Sequence, residues 1–345
     1  MLWMLTASAA EVTAFPAPIG GSVEVQYRGR VEIGGLNEGD QRIADRRVQQ
    51  HDIDATVEFS PFKGAAVVIG LEVTPSWSWR YPNARTMLLE PVDGGGSYLF
   101  SEPDTEGEPY TVKGGGLTGV WLGAAFAPFS EKLFPKQKVS WRVDFGVRPG
   151  NKKSNRWTYK NGKRGAGPGT TGIRIATAFS RRGGVAEPYV RMRYQHEGKA
   201  EIELVDANGT VTNPAFVVDP ASTVEIIGGT GVLASKLQKD PSFFDVHLGA
   251  IYRTWEDLPS GMLLPNVIGA AKAVPVTHSE SITGVFGIGV NLAFGPNVSA
   301  DLGVEGTYTV PHRQEHLFDV TTSPDTFGVN WHVGIKGTLS KADLE

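Results

Sequence analysis

From Val139 to Arg148 the chain reads VSWRVDFGVR, with apolar and polar residues alternating throughout. In an extended strand, successive side chains point to opposite faces. Val139, Trp141, Val143, Phe145 and Val147 therefore share one wholly apolar face, and Ser140, Arg142, Asp144, Gly146 and Arg148 share a polar one. The same pattern recurs about twelve times along the chain.

The first predicted strand, Ser22–Ile33, sets Val23, Val25, Tyr27, Val31 and Ile33 against Glu24, Gln26, Arg28, Arg30 and Glu32. The second, Gln50–Ser60, opposes Ile53, Val57 and Phe59 to Asp52, Asp54 and Glu58. In the third, Val67, Ile69, Leu71, Val73, Trp77 and Trp79 face away from Glu72, Ser76, Ser78 and Arg80, and Pro75 predicts a bulge. Leu117–Ala127 forms a fourth, indistinct strand because both phases are apolar, and the fifth is the stretch above. Seven more follow at Thr171–Ser180, Glu187–Gln195, Thr223–Ala234, Phe243–Trp255, Ile282–Phe294, Val298–Val310 and Gly328–Leu339. Connections after even strands are short, such as Pro61–Gly64 and Gly295–Asn297. Those after odd strands are long, including Gly34–Gln49, Pro82–Gly116 and Pro149–Thr170.

Strands of about ten to fifteen residues exceed the roughly 5–6 usual in soluble sheets. Alternation, an even strand number and long loops confined to one side resemble a Gram-negative outer-membrane β-barrel. The resemblance is architectural and names no single family. It implies an all-β fold: a closed antiparallel transmembrane barrel of about twelve strands, with long outer loops, short periplasmic turns, an apolar exterior and a polar lumen. Barrels of this class usually finish on an aromatic residue, whereas here the last strand ends at Leu339. Trp77, Trp79, Tyr81, Trp255 and Tyr308 fall near strand ends on the long-loop side, where an interfacial girdle belongs.

Composition narrows the reading. Forty-three glycines suit a turn-rich all-β chain, and the formal charge of -4 argues against a nucleic-acid partner. The absence of cysteine removes disulfide and thiolate chemistry. No apolar run is long enough for a membrane-spanning helix. Residues 1–10 end in Ala7-Ser8-Ala9 and read as a signal-peptide remnant, 11–21 as an extended lead-in, 22–340 as the barrel and 341–345 as a tail.

In this register Arg142, Arg148, Arg174, Arg191 and Arg193 make one positive wall, and Asp52, Asp54, Glu58 and Glu72 a carboxylate wall. Arg80 belongs to the same lumen set. Such walls either hand an anion from one guanidinium to the next or pair with one another and fill the interior. His247 and His332 are expected in the lumen as hydrogen-bonded histidines. Lys152, Lys153, Arg156, Lys160, Lys163 and Arg164 in the third long loop form a candidate lipopolysaccharide-binding segment.

His312-Arg313-Gln314-Glu315-His316 matches H-x-x-E-H. That motif needs a helix to bring its histidines together, and here it follows a strand and a proline, so no metal is expected. Neither cofactor nor catalytic residue is expected. The sequence thus points to an integral outer-membrane channel for passive diffusion of small hydrophilic, including anionic, solutes. A non-conducting barrel serving an envelope assembly with other proteins is the first alternative. An outer-membrane lipid hydrolase is the second, marked by a serine beside a histidine at the membrane rim.

Overall fold

The computed structural model describes residues 16, 19–38, 40–81, 110–130, 139–150, 157–158, 163–164, 169–181, 184–205, 211–233, 242–259, 275–295, 297–315 and 320–339. Among them, twelve strands form the wall: β1 Gly20–Glu38, β2 Gln41–Phe62, β3 Ala65–Tyr81, β4 Tyr110–Phe129, β5 Ser140–Arg148 and β6 Gly172–Ser180, then β7 Ala186–Glu197, β8 Thr223–Leu233, β9 Phe243–Arg253, β10 Ser281–Ala293, β11 Val298–Thr309 and β12 Thr326–Leu339. Each pairs antiparallel with the next, and β12 returns to β1 from Gly21↔Leu339 to Ile33↔Phe327. The sheet is therefore a closed barrel, as the alternation predicted, and closure leaves the wall without an unpaired edge.

The exterior follows the apolar phase. Val25, Val57, Ile69, Phe145, Ile175, Val246, Ile288 and Ile335 are all exposed, whereas Gln26, Glu58, Glu72, Glu225, Asp245 and Glu305 on the opposite phase are buried. At the short-turn end Trp141 stacks between Phe129 and Phe179, with centroids 5.9 Å and 5.5 Å away, and its indole N–H donates to Thr177 Oγ1 at 2.8 Å. A flat ring with a satisfied polar edge suits a membrane interface.

Two expectations fail in β3. Between Thr74↔Gly116 and Trp77↔Gly114 the strand carries one residue more than its partner, so Pro75 and Ser76 bulge. Proline gives the ladder no N–H, and a bulge inverts the phase beyond it. Trp77 consequently turns inward and is buried, leaving the expected girdle, while Arg80 turns outward and is exposed, leaving the expected lumen set.

The first long connection is corrected as well: the ladder continues to Glu38↔Gln41, well into Gly34–Gln49. Backbone pairing above a membrane needs no apolar face, so the hydrophobic alternation fades before the strands do. The second connection is shortened, because β4 begins at Tyr110.

Outside the barrel, Glu256–Pro259, Pro275–His278, His312–Glu315 and Val320–Ser323 pair in succession, and Thr322 reaches Asn37 of β1. They form a collar on the long-loop side. Trp157–Thr158, Ala200–Val205 and Val211–Val218 make a separate small sheet.

Candidate functional site

The lumen is built from long polar side chains laid over small ones. Arg142 on β5 binds Asp144 on its own strand, with Nη2 donating to Oδ1 at 2.7 Å, and also reaches Glu58 of β2. The two strands between are β3 and β4, where the inward positions in register are Val68, Gly123 and Ala125. Small side chains there leave the guanidinium a path across that quarter of the wall.

Elsewhere, pairs join every second strand across a glycine. Tyr189 Oη on β7 donates to Asp245 Oδ2 on β9 at 3.1 Å, over Gly229 of β8. His247 on β9 lies 3.0 Å from Glu305 Oε1 on β11, and a Cβ at Gly287 of β10 would overlap its ring. Gln26 Nε2 on β1 donates to Asp301 Oδ2 on β11 at 3.2 Å, over Gly334 of β12. These glycines thus let side chains lie flat along the wall. Val at Gly287 is expected to displace His247 and cost roughly 1–3 kcal/mol by overpacking, read as a lower urea midpoint for the folded barrel.

Asp245 Oδ2 lies 2.7 Å from His247 Nδ1, so the ring has a carboxylate at each nitrogen. Ionised carboxylates only accept, so both bonds form only when the imidazole carries two protons. The second lumen histidine, His332, lies 3.2 Å from Asp301.

All nine lumen residues named from the sequence lie on the inward phase, but they do not form two separate walls. Arg142 holds Glu58, and Arg28 holds Asp54. Asp52 accepts from Thr74 Oγ1 at 2.6 Å and from Gln50 Nε2. Arg148 bonds Glu197, while Arg193 and Arg191 lie 2.6 Å and 3.4 Å from Glu225. Arg174 stacks 4.6 Å from the Trp121 ring, and Arg148 sits 5.1 Å away on the same ring. Glu72 is 1% exposed, and its Oε1 has no hydrogen-bond partner among the described residues.

Sequence reasoning missed Glu197, Trp121 and Tyr189. Glu197 lies two residues beyond the predicted end of its strand, and Trp121 lies where both phases are apolar. A polar-phase reading of Glu187–Gln195 would have found Tyr189.

On the outer wall Tyr27 Oη lies 2.6 Å from His51 Nδ1, and His51 meets the edge of Trp331. Ser222 Oγ lies 2.8 Å from His196 Nδ1 at the long-loop rim, which is the feature that would mark a hydrolase. Among the described residues no carboxylate bonds His196, the orienting contact that a triad would use. His312–Glu315 is a strand, which rules out the helical face that H-x-x-E-H needs, and His316 lies outside the described residues. Lys152, Lys153, Arg156 and Lys160 also lie outside them, while Lys163 and Arg164 pair in parallel with Lys113 and Gly114 of β4.

In the collar, burial pushes the His278 imidazole down to about 4, and Glu256 opposes this only in part. The unfolded chain gains a proton near 6.5 that the folded site takes up only near 4. Stability contributed by neutral His278 is therefore present above pH 6.5 and lost between 6.5 and about 4. Amide protection at Val276–His278, taken relative to the intrinsic exchange rate at each pH, is expected to fall over that interval in the wild type and not in His278→Phe.

One observation decides the setting of the fold. Around the closed wall Leu248 (68%), Ile335 (60%), Phe286 (59%) and Phe59 (53%) stand exposed with no protein covering them, a belt that water would not tolerate. The chain is an integral outer-membrane β-barrel.

No family model and no curated protein matches this barrel. Among solved structures it is similar to an outer membrane channel from Pseudomonas putida F1, at 9% identity over 93% of this chain and 97% of that one, with a TM-score of 0.49. It is also similar to the P. putida toluene transporter TodX (8% identity, 96% and 94% covered, TM-score 0.40) and to the outer membrane protease OmpT from Escherichia coli (5%, 94% and 99%, 0.36). These likenesses extend to the fold and no further.

Proposed function

We propose that the barrel is a passive channel for small hydrophilic solutes. The observation that carries this reading is the exposure retained by inward-facing charges: Arg30 is 29%, Asp144 28%, Glu24 22% and Lys336 17% exposed. An inward side chain can meet solvent only if the lumen holds water-accessible space. That space touches Glu24 and Arg30, six residues apart on β1, or roughly 20 Å of strand at about 3.3 Å per residue. Side chains lying flat over glycine and alanine keep charge on the wall and off the axis.

Because most arginines of β5 to β7 face carboxylates, the reading includes hydrophilic solutes of either sign with weak preference between them. Single-channel recording in a planar bilayer is expected to give discrete conductance steps. Neutralising Arg174 and Arg191 together is expected to move the reversal potential in a salt gradient toward cations, since both guanidiniums lie on the lumen side. A folded barrel that gives no steps would defeat the proposal. The bridge from Glu58 across β3 and β4 to Arg142 favours the second reading, a non-conducting barrel in an envelope assembly, and that result would select it.

A further inference from the structure

On the outer faces of β2, β3 and β4 the side chains change character in the same order. From the short-turn end, β2 presents Phe59, Val57, Ala55, Ile53, His51, Gln49 and then Arg47. Outward on β3 are Val67, Ile69, Leu71 and Val73, then beyond the bulge Ser76, Ser78 and Arg80. The corresponding run on β4 is Phe126, Ala124, Leu122, Val120 and Leu117, then Gly115 and Lys113. Each run goes from hydrocarbon to cation at the long-loop end. Neighbouring β1 instead ends its outward run on Val31 and Ile33, and β5 on Phe145 and Val147. Among β1 to β5, outward cations at this height belong to β2, β3 and β4.

Register brings them together. Arg47 is the direct partner of Arg80, and Lys113 is the partner of Ser78, diagonal to Arg80. Opposite Cβ atoms in such pairs are about 4.5–5.5 Å apart, and like charges so placed repel. The arrangement exists only because the Pro75–Ser76 bulge turns Arg80 outward. All three cations are exposed, and no ion pair joins them to a carboxylate among the described residues. Asp45, next outward on β2, is bound by Arg42 at 2.8 Å.

Height identifies the occupant. Tyr27, His51 and Trp331 cluster on the same outer wall, with polar atoms on aromatic bodies, as residues at a lipid–water boundary do. Arg47 lies four residues further out, at most about 13 Å along the strand, which is the depth of lipid headgroups. Backbone pairing also sets Lys163 of the third long loop beside Lys113.

We propose that Arg47, Arg80 and Lys113 form a binding site for the phosphate of an outer-leaflet glycolipid, lipopolysaccharide being the form that supplies it. A phosphate between Arg47 and Arg80 accepts from both guanidiniums and converts their repulsion into two charge-assisted bonds, while the acyl chains lie along Ile53, Leu71 and Leu122. The site does not depend on whether the lumen conducts.

The test uses the full-length barrel in neutral detergent, with lipopolysaccharide, the same lipid stripped of its phosphates, and inorganic phosphate as probes. Removing the lipid phosphates is expected to weaken wild-type binding about tenfold or more, since the charge-assisted bonds to both guanidiniums are lost. The double variant Arg47→Gln with Arg80→Gln is expected to lose as much and to bind both lipids alike. Lys113→Gln, a milder change, is expected to retain the preference for phosphate and weaken binding by a smaller factor. Heat-modifiable migration on gels verifies that each variant is folded. Wild-type affinity in the folded double variant would overturn the site. Displacement of the lipid by inorganic phosphate would overturn its assignment to a lipid.

Discussion

Arginine in place of Ile335 is expected to cost about 2–4 kcal/mol of barrel stability. Ile335 is exposed on the outer phase of β12, between Val25 of β1 and Ala300 of β11. It lies four residues from Trp331 toward the short-turn end, about 13 Å along the strand from the lipid–water boundary, so a guanidinium there enters hydrocarbon. The same substitution at Phe327, near the long-loop end, is expected to cost about 0–1 kcal/mol because the side chain reaches headgroups and water. Reversible urea unfolding in phospholipid vesicles, followed by tryptophan fluorescence, measures both. Equal costs at the two positions would mean that the exposed apolar face does not lie across a bilayer.

Removal of Arg142 carries the second large effect. Arg142→Ala leaves Glu58 and Asp144 without the cation both of them bond. Glu58 is buried, and losing one partner of a buried ion pair costs about 3–5 kcal/mol, chiefly because the remaining charge stays desolvated. Exposure of Asp144 to lumen water places the expectation at the lower end of that range. Replacing both partners, Arg142→Met with Glu58→Leu, is expected to recover most of the loss, since an apolar pair of similar volume has no such penalty. A double-mutant cycle on unfolding free energies separates the two terms. If the double variant is as unstable as Arg142→Ala, the arginine acts through Asp144 alone and the bridge to β2 is incidental.

The alternation by itself determined the number of strands, which residues face lipid and which face the lumen, and that the long connections lie on one side. Those properties are local: a side chain's face depends on its parity along the strand, and a membrane enforces that parity over a dozen residues at a time. Val139–Arg148 could therefore be assigned without reference to any neighbour. Parity fails where one residue is inserted. Pro75 marked the bulge in the sequence, but its consequence, Trp77 inward and Arg80 outward, follows from how β3 is paired to β4.

Tertiary structure alone decided how the lumen charges combine. Glu58 and Arg142 are 84 positions apart and belong to strands that do not touch, and the path between them depends on small residues on the strands they cross. In sequence, Gly229, Gly287 and Gly334 simply place no side chain on the lumen face of their strands. In the barrel each is the space over which a polar side chain reaches its partner two strands away. Arg47 and Arg80 became a pair for the same reason, because register and an inserted residue are properties of two strands together and neither is written in one of them.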